Sequence, residues 1–314
     1  MKVLVTGSSG FAGRWLLRDL NAAGHEIVTD RPSGQRIDIT DRSAVEALLH
    51  GSRPDLIIHL AAVAFAPDAE ADTWRAVRVN VGGTAVLVHS ARRLYRPPAI
   101  VVVSSAEVYG AQEATNQPIK ETAATLPSRA YGLSKLGQES VALAMAKSSD
   151  LRIAILRPFN HTGPGQRRDF AIPAFAARIV AARASGRPTV RVGNIDVHRD
   201  IGDVRDTVRA YRLVGEGLVD GRIETGGRFN VATGVPVRIG TVVERLAALA
   251  GCAIAAQVDP ALLRADDPPM MIGDATVLRQ RTGWSPEIPL ERTLQDVLAD
   301  VERGWPSPGH EAES

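Results

Sequence analysis

Lys2-Val3-Leu4-Val5-Thr6-Gly7-Ser8-Ser9-Gly10-Phe11-Ala12-Gly13 is the stretch that decides the fold. Lys2–Val5 is a short apolar run of the kind found in a buried parallel strand. Arg14-Trp15-Leu16-Leu17-Arg18-Asp19-Leu20 then repeats with helical periodicity. Glycines between a strand and a helix are the context a dinucleotide-binding turn requires. Gly7 permits the tight turn, Gly10 lets backbone approach a pyrophosphate, and Gly13 lets the helix pack against the sheet. The free N–H groups and dipole of that helix end favour an anion. Ser9, Phe11 and Ala12 complete the candidate cofactor contacts of this turn.

Far downstream stands Tyr131-Gly132-Leu133-Ser134-Lys135. Tyr131 and Lys135 are four apart, so on a helix they share a face. A free phenol ionises near pH 10, roughly, and a neighbouring ammonium favours the phenolate. Such a Tyr exchanges a proton with an oxygen while hydride moves at the same carbon. The two motifs together describe a hydride-transfer site.

A second strand, Glu26–Thr29, ends at Asp30, 17 residues past Gly13. That is close to the ~20 expected for the acid that binds an adenosine ribose. Asp30 disfavours a 2′-phosphate, whereas Arg31 beside it would pair with one. The cofactor is therefore NAD(H) or NADP(H), with Asp30 tipping the balance to NAD(H). Asp38 and Ile39 follow a short third strand and are candidates for contact with adenine. Leu60, Ala61 and Ala62, at the end of the apolar strand Asp55–Leu60, are further cofactor candidates.

Strands and helices alternate through the first half: helix Val45–His50, helix Thr73–Leu94, strand Ala99–Val103, helix Arg129–Lys147, strand Leu151–Leu156. The pattern predicts an α/β fold with a doubly wound, parallel Rossmann sheet. Ligands of such sheets sit beyond the carboxyl ends of the strands, where Ser105 and Asn160 fall. After Asn160, Gly163-Pro164-Gly165 breaks the pattern. The expected organisation is a dinucleotide-binding domain over 1–160, with some later segments returning to it. A smaller α/β substrate-binding domain follows over 161–305, then a frayed tail over 306–314.

The glycine spacing, Asn80, the strand end Ser104-Ser105 and Tyr131…Lys135 resemble the extended short-chain dehydrogenase/reductase family over essentially the whole chain. The resemblance implies an enzyme with Ser105, Tyr131 and Lys135 as catalytic residues. Asn80 joins the cofactor site, and Lys135 holds the nicotinamide ribose. The substrate implied is a nucleotide-sugar. Arg157-Pro158-Phe159-Asn160-His161-Thr162-Gly163-Pro164-Gly165-Gln166 is similar to the subgroup containing GDP-mannose 4,6-dehydratases and GDP-4-keto-6-deoxymannose reductases. The segments 170–173, 198–206 and 263–269 resemble the reductases in particular. By that likeness Asn160 contacts the sugar nucleotide, and Arg199 and Arg264 grip its pyrophosphate through forked donors. Glu107, two past Ser105, is the base of the dehydratases, or else a substrate-binding or structural carboxylate. Ala106 replaces the acid that dTDP-glucose-type dehydratases carry.

The activity implied is reduction of the C4 ketone of a GDP-4-keto-6-deoxyhexose, giving GDP-D-rhamnose. A sugar 4,6-dehydratase and a 4-epimerase are the alternatives. The likeness also implies a homodimer built on helices near 81–94 and 129–147.

Among 314 residues, 45% are hydrophobic and 23% charged, as in ordinary globular proteins. A formal charge of +2 is too small to argue for nucleic acid or a membrane surface. One cysteine, Cys252, excludes an internal disulfide. The histidines show no metal-ligand spacing. With a strand starting at Lys2 and no apolar run of about 18 residues, neither signal peptide nor membrane span is expected. The expected location is cytoplasmic.

Overall fold

The computed structural model describes residues 1–31, 34–113, 116–147, 149–263 and 267–304. The first half alternates as its periodicity predicts: β1 (Lys2–Thr6), α1 (Phe11–Ala22), β2 (Glu26–Thr29), α2 (Arg42–Ser52), β3 (Leu56–His59), α3 (Ala66–Ala71), α4 (Thr73–Val77), α5 (Thr84–Ala91), β4 (Ala99–Val103), α6 (Ala130–Lys147) and β5 (Ile153–Pro158). The expected helix over 73–94 is two α-helices joined by a π-helical segment, Arg78–Gly83. π-Helical insertions concentrate at functional sites, and this one carries Asn80.

The second half comprises β6 (Asn160–Thr162), α7 (Ala171–Ala184), β7 (Thr189–Val192), β8 (His198–Asp203), α8 (Val204–Val219), β9 (Arg228–Val231), β10 (Pro236–Arg238), α9 (Ile239–Leu249), β11 (Ala255–Val258), β12 (Met270–Met271), α10 (Thr276–Thr282) and α11 (Leu290–Glu302). Six parallel strands form the main sheet in the order β2-β1-β3-β4-β5-β9. Successive side chains of a strand point to opposite faces, and both faces are covered. Val3, Val5, Ile58, Val101 and Leu156 pack towards α1 and α8. Leu4, Ile57, Ile100, Val102 and Ile155 pack towards α2, α5 and α6. Burial on both faces explains why these strands read as unbroken apolar runs. Strand order reverses between β1 and β3, and a ligand crevice opens at such a switch point. The glycine turn follows β1 there, and Ala61 follows β3.

β9 completes the main sheet and α8 covers it, so the chain returns to the first lobe after leaving it. The second lobe holds β10-β8-β12 with β6 on β8, and a β7–β11 pair. α7, α9 and α11 bury Ile172, Phe175, Val242, Leu246, Leu294 and Val297 in a separate core.

One expected element is absent among the described residues: no strand precedes Asp38. The chain reverses at Gly34, and Ile37 N–H donates to Asp30 O (3.0 Å), so this segment closes over the end of β2 instead of pairing with it. Among the described residues no helix is long and apolar enough to cross a membrane.

Candidate active site

The turn after β1 is built around Gly7, whose φ of +71° disfavours other residues. A Cβ there would also lie 2.7 Å from Ala61 N, so a side chain would push the ends of β1 and β3 apart. Gly10 N–H closes the turn onto Gly7 O (3.0 Å), and Gly10 is the N-cap of α1. No side chain caps α1, and its first turn carries no acid. Backbone donors at a bare helix end, beside a cradle that a Cβ would fill, fit a dinucleotide pyrophosphate.

The three residues expected to act on a substrate converge beyond β4. Ser105 follows the strand and is 8% exposed. Tyr131 lies in the first turn of α6 and is hydrogen-bonded to Ser105. Gly132 makes this approach possible, since a Cβ there would lie 2.7 Å from Glu107 O. Lys135, one turn on, donates to Val103 O (2.7 Å) and Gln138 Oε1 (2.8 Å). The strand that delivers Ser105 therefore also anchors Lys135. Helix α6 is fixed one turn further on by Glu139, 2% exposed. Ser104 Oγ donates to Glu139 (2.5 Å), and Arg157 of β5 forms a two-pronged pair with it (2.9 and 2.7 Å).

Electrostatics correct one expectation. Lys135 does not draw Tyr131 towards the phenolate, because its ammonium is held by Val103 and Gln138. Burial pushes Tyr131 up to about 12, the Ser105 hydrogen bond opposes this, and the charge of Glu107 adds to it. Burial likewise pushes Lys135 down to about 7, against the pull of Glu139. Dehydration disfavours whichever form is charged, so a phenol and an ammonium shift in opposite directions.

Behind Lys135 runs a polar chain that sequence reading missed. Gln138 Nε2 donates to Thr84 Oγ1 (2.9 Å), which donates its own proton to Asn80 O (2.7 Å). His59 Nε2 lies 2.9 Å from Thr84 Oγ1, and His59 Nδ1 lies 2.7 Å from Thr6 Oγ1. Thr84 has only one proton to give, so His59 carries its proton on Nε2 and accepts from Thr6 at Nδ1. Burial holds this His near 3, and Lys135 reinforces the shift. Thr6 Oγ1 also accepts from Ala61 N–H (3.3 Å), so the chain runs from Lys135 to the strand ends of the cofactor crevice. The available signals were a His inside the apolar run Leu56–Leu60 and a Gln one turn past Lys135.

Several predicted contacts point elsewhere. Asp30 is 3% exposed; its carboxylate accepts from Gly7 N–H (2.7 Å), Ser8 N–H (3.3 Å) and Ser8 Oγ (2.6 Å). It faces the glycine turn, not a ribose hydroxyl. Asn80 is fully buried, exchanging hydrogen bonds with Val63 (2.7 and 3.2 Å) and donating to Ser134 Oγ (2.9 Å). It positions the loop after β3, where Leu60, Ala61 and Ala62 are half-buried. Ile39 is 6% exposed and packs into the core with Leu4 and Val45, so its side chain is no adenine contact. Asp38 is exposed and takes two hydrogen bonds from Thr40 (2.8 Å each). Arg199 donates to His198 O and Pro268 O (2.8 Å each) and pairs with Asp267 (2.5 Å), so a pyrophosphate would have to compete for it. Arg264 and the tail 306–314 lie outside the described residues. Asn160 is exposed just past β5, and Glu107 is exposed beside the Tyr131 site. Ser9, Phe11 and Ala12 are half-buried at the mouth of the turn, where Phe11 stacks on His161 of β6 (6.2 Å, 6°). Among the described residues no cluster of three or more His, Cys, Asp or Glu could hold a metal.

Comparison with known proteins agrees with this geometry. A family model described as "NAD dependent epimerase/dehydratase family" matches residues 3–232. GDP-6-deoxy-D-mannose reductase of Pseudomonas aeruginosa is 35% identical over 304 residues, 96% of this chain and 97% of that one. GDP-6-deoxy-D-talose 4-dehydrogenase of Aggregatibacter actinomycetemcomitans is 31% identical over 88% of this chain and 90% of its own. The solved structure of RMD from Pseudomonas aeruginosa complexed with NADPH superposes with a TM-score of 0.87 at 32% identity, covering 96% and 99% of the two chains.

Proposed function

The chain belongs to the NAD dependent epimerase/dehydratase family and is an NAD(P)-dependent oxidoreductase, and from that premise we propose that it reduces the C4 ketone of a GDP-linked 4-keto-6-deoxyhexose. One observation carries the reading: Ser105, Tyr131 and Lys135 converge just beyond the carboxyl end of β4. Tyr131, bonded to Ser105 at the carboxyl edge of the sheet, is held as a neutral phenol. A neutral phenol is a proton donor, which is what a ketone needs as it becomes an alcohol.

A bound NAD(P)H supplies hydride to C4. Ser105 hydrogen-bonds the C4 oxygen and orients it. Tyr131 passes its phenolic proton to that oxygen as the C–O double bond becomes single, so the product is the hydroxyl and a tyrosinate. Solvent then returns a proton to Tyr131, while Lys135, donating to Val103 O and Gln138 Oε1, holds the first turns of α6 against the strand end that carries Ser105. Asn160 and Arg199, on β6 and β8, face the sugar-nucleotide side of this reading, with Arg199 moving from Asp267 to a phosphate. The preference for a GDP-sugar rests on the likeness to GDP-6-deoxy-D-mannose reductase along nearly the full length of both chains. The named relatives include both a mannose-series and a talose-series enzyme, and the C4 configuration depends on which sugar face meets the nicotinamide.

Exposed apolar side chains support a homodimer. Trp74 (74% exposed) and Val77 are three apart on α4, and Leu133 is exposed on α6, which packs against α4. The enzyme then belongs in the cytoplasm, where reduced pyridine nucleotide is regenerated.

The test is to mix the protein with GDP-4-keto-6-deoxymannose and NADPH or NADH and follow the reduced-nicotinamide absorbance. Stoichiometric loss, with a C4 alcohol identified by NMR, supports the reading. No loss, with tightly bound oxidised cofactor released on denaturation, overturns it in favour of a dehydratase or epimerase.

A further inference from the structure

Two buried charges stand behind the site. Glu139 and Arg157 are 2% and 3% exposed. Glu139 lies on α6, four residues past Lys135 and eight past Tyr131. Arg157 lies on β5, which pairs with the strand that leads to Ser105. A buried ion pair is weak evidence of stability, because removing two charges from water is costly, and fixing register is its best-attested use.

The pair reaches the Ser105 segment from both ends. Ser104 Oγ, one residue before Ser105, donates to Glu139 Oε1 (2.5 Å). Arg157 holds both oxygens of that carboxylate, Nε on Oε1 (2.9 Å) and Nη2 on Oε2 (2.7 Å). Its Nη1 donates to Tyr109 Oη (3.1 Å), and its guanidinium carbon lies 4.9 Å from the centre of the Tyr109 ring. Tyr109 ends the single 3₁₀ turn Ala106–Tyr109, which Ser105 Oγ caps by accepting from Glu107 N–H (3.2 Å). Tyr109 Oη donates onward to Asn230 Oδ1 of β9 (2.7 Å), so its ring is held from both sides. Ser105 therefore sits between two anchors, and both lead to one carboxylate on the helix that carries Tyr131.

We propose that Glu139 and Arg157 are positioning residues, whose pairing sets the Ser105 hydroxyl against the Tyr131 phenol. The inference rests on the ketone-reductase reading and deepens it by naming what keeps the two hydroxyls in register. Both residues act through Ser105 and Tyr131 and not on the substrate itself. One ketone oxygen must meet both hydroxyls at once, and a misplacement of about 1 Å can cost on the order of 100-fold in rate.

Two variants test this. Arg157→Lys keeps the buried cation, but an ammonium lacks the fork that holds Glu139 and Tyr109 together. Ser104→Ala leaves the Arg157–Glu139 pair whole and cuts only the link beside Ser105. Each should lower kcat for GDP-4-keto-6-deoxymannose reduction about 10- to 100-fold, with the sugar KM and the calorimetric affinity and stoichiometry of the dinucleotide kept within about threefold. Crystal structures of both variants should show the Ser105–Tyr131 hydrogen bond broken. A pair that served folding alone would lower kcat and dinucleotide stoichiometry in step, because the chains that fold would work at the wild-type rate. That parallel loss would overturn the inference. So would an unchanged kcat, or an intact Ser105–Tyr131 hydrogen bond, in either variant. If the wild type binds dinucleotide yet reduces no ketone, the proposed activity falls, and the two crystal structures alone decide this inference.

Discussion

Replacing Lys135 by Met should make the cofactor-free protein more stable in mild acid while abolishing ketone reduction. The amine is 3% exposed, and burial lowers its ionisation from 10.5 to about 7. At about 1.4 kcal/mol per pH unit, holding the charged amine in the fold costs up to about 5 kcal/mol. The sign follows from linkage. Between about pH 7 and 10.5 the unfolded chain carries a proton here that the folded chain lacks, so this residue's contribution to stability rises with pH. Below about pH 7 the full penalty is present; above 10.5 it is gone. Met has no penalty at any pH, but it leaves Val103 O and Gln138 Oε1 without the donor they now share, at roughly 3 kcal/mol for the two. The variant should therefore be about 2 kcal/mol more stable at pH 6, and the two stability curves should cross at about pH 8 to 9. Urea unfolding of both proteins from pH 6 to 10 measures this directly. Parallel curves, with the variant less stable throughout, would refute the reasoning, because they would mean that Lys135 ionises normally in the fold.

Tyr131→Phe removes the proton donor and should lower ketone reduction by about 10²- to 10⁴-fold, with dinucleotide affinity by calorimetry retained. Gln138→Glu keeps an acceptor beside Lys135 but adds a negative charge, so the Lys135-dependent limb of the pH–rate profile should move to higher pH. Gln138→Ala should instead lower kcat without that displacement, and an unchanged profile in both variants would remove Gln138 from the site's machinery. Gly13→Ala should abolish dinucleotide binding, since its Cβ would run into the Gly7 carbonyl; calorimetry reads the loss.

Motifs whose function depends on backbone were legible, and those that depend on where a side chain turns were not. The glycine turn reads directly because glycine is required where Gly7 has positive φ and where β1 and β3 nearly touch. The main strands read because burial on both faces leaves no polar positions in Val3–Val5 or Ile100–Val103. Tyr131 and Lys135 read because helical spacing alone fixes their shared face. Asp30 was placed correctly at the end of β2, yet spacing cannot tell whether its carboxylate faces the ribose or the turn. Arg199 was likewise located but not oriented, since its partners at 267 and 268 lie about seventy positions away. The return of β9 to the main sheet was only partly foreseen, because a four-residue strand with two polar residues carries no mark of which sheet it joins. Ile39 reads in sequence as an adenine contact after a short strand and is core in the fold, in the cluster that holds Leu87 and Val88 of α5.

Glu107 tests the direction of the chemistry more sharply than any group inside the triad. A dehydratase would use this carboxylate as a base; in the reductive reading it touches no bond that changes. Its effect is then electrostatic. Burial is the main reason that Tyr131 stays protonated, and the negative charge of Glu107 adds to it by making a second anion beside it unfavourable. Glu107→Gln should therefore leave neutral-pH ketone reduction nearly intact, while the ionisation of Tyr131 moves down. Glu107 is exposed, so salt screens its charge, and the difference between variant and wild type should shrink as ionic strength rises. A pH–rate profile of both proteins at low and high salt decides the point. Loss of ketone reduction in Glu107→Gln at every pH would mean that the carboxylate takes part in the chemistry itself. The neutral phenol of Tyr131 would then have to be explained as the acid of an elimination and not of a reduction.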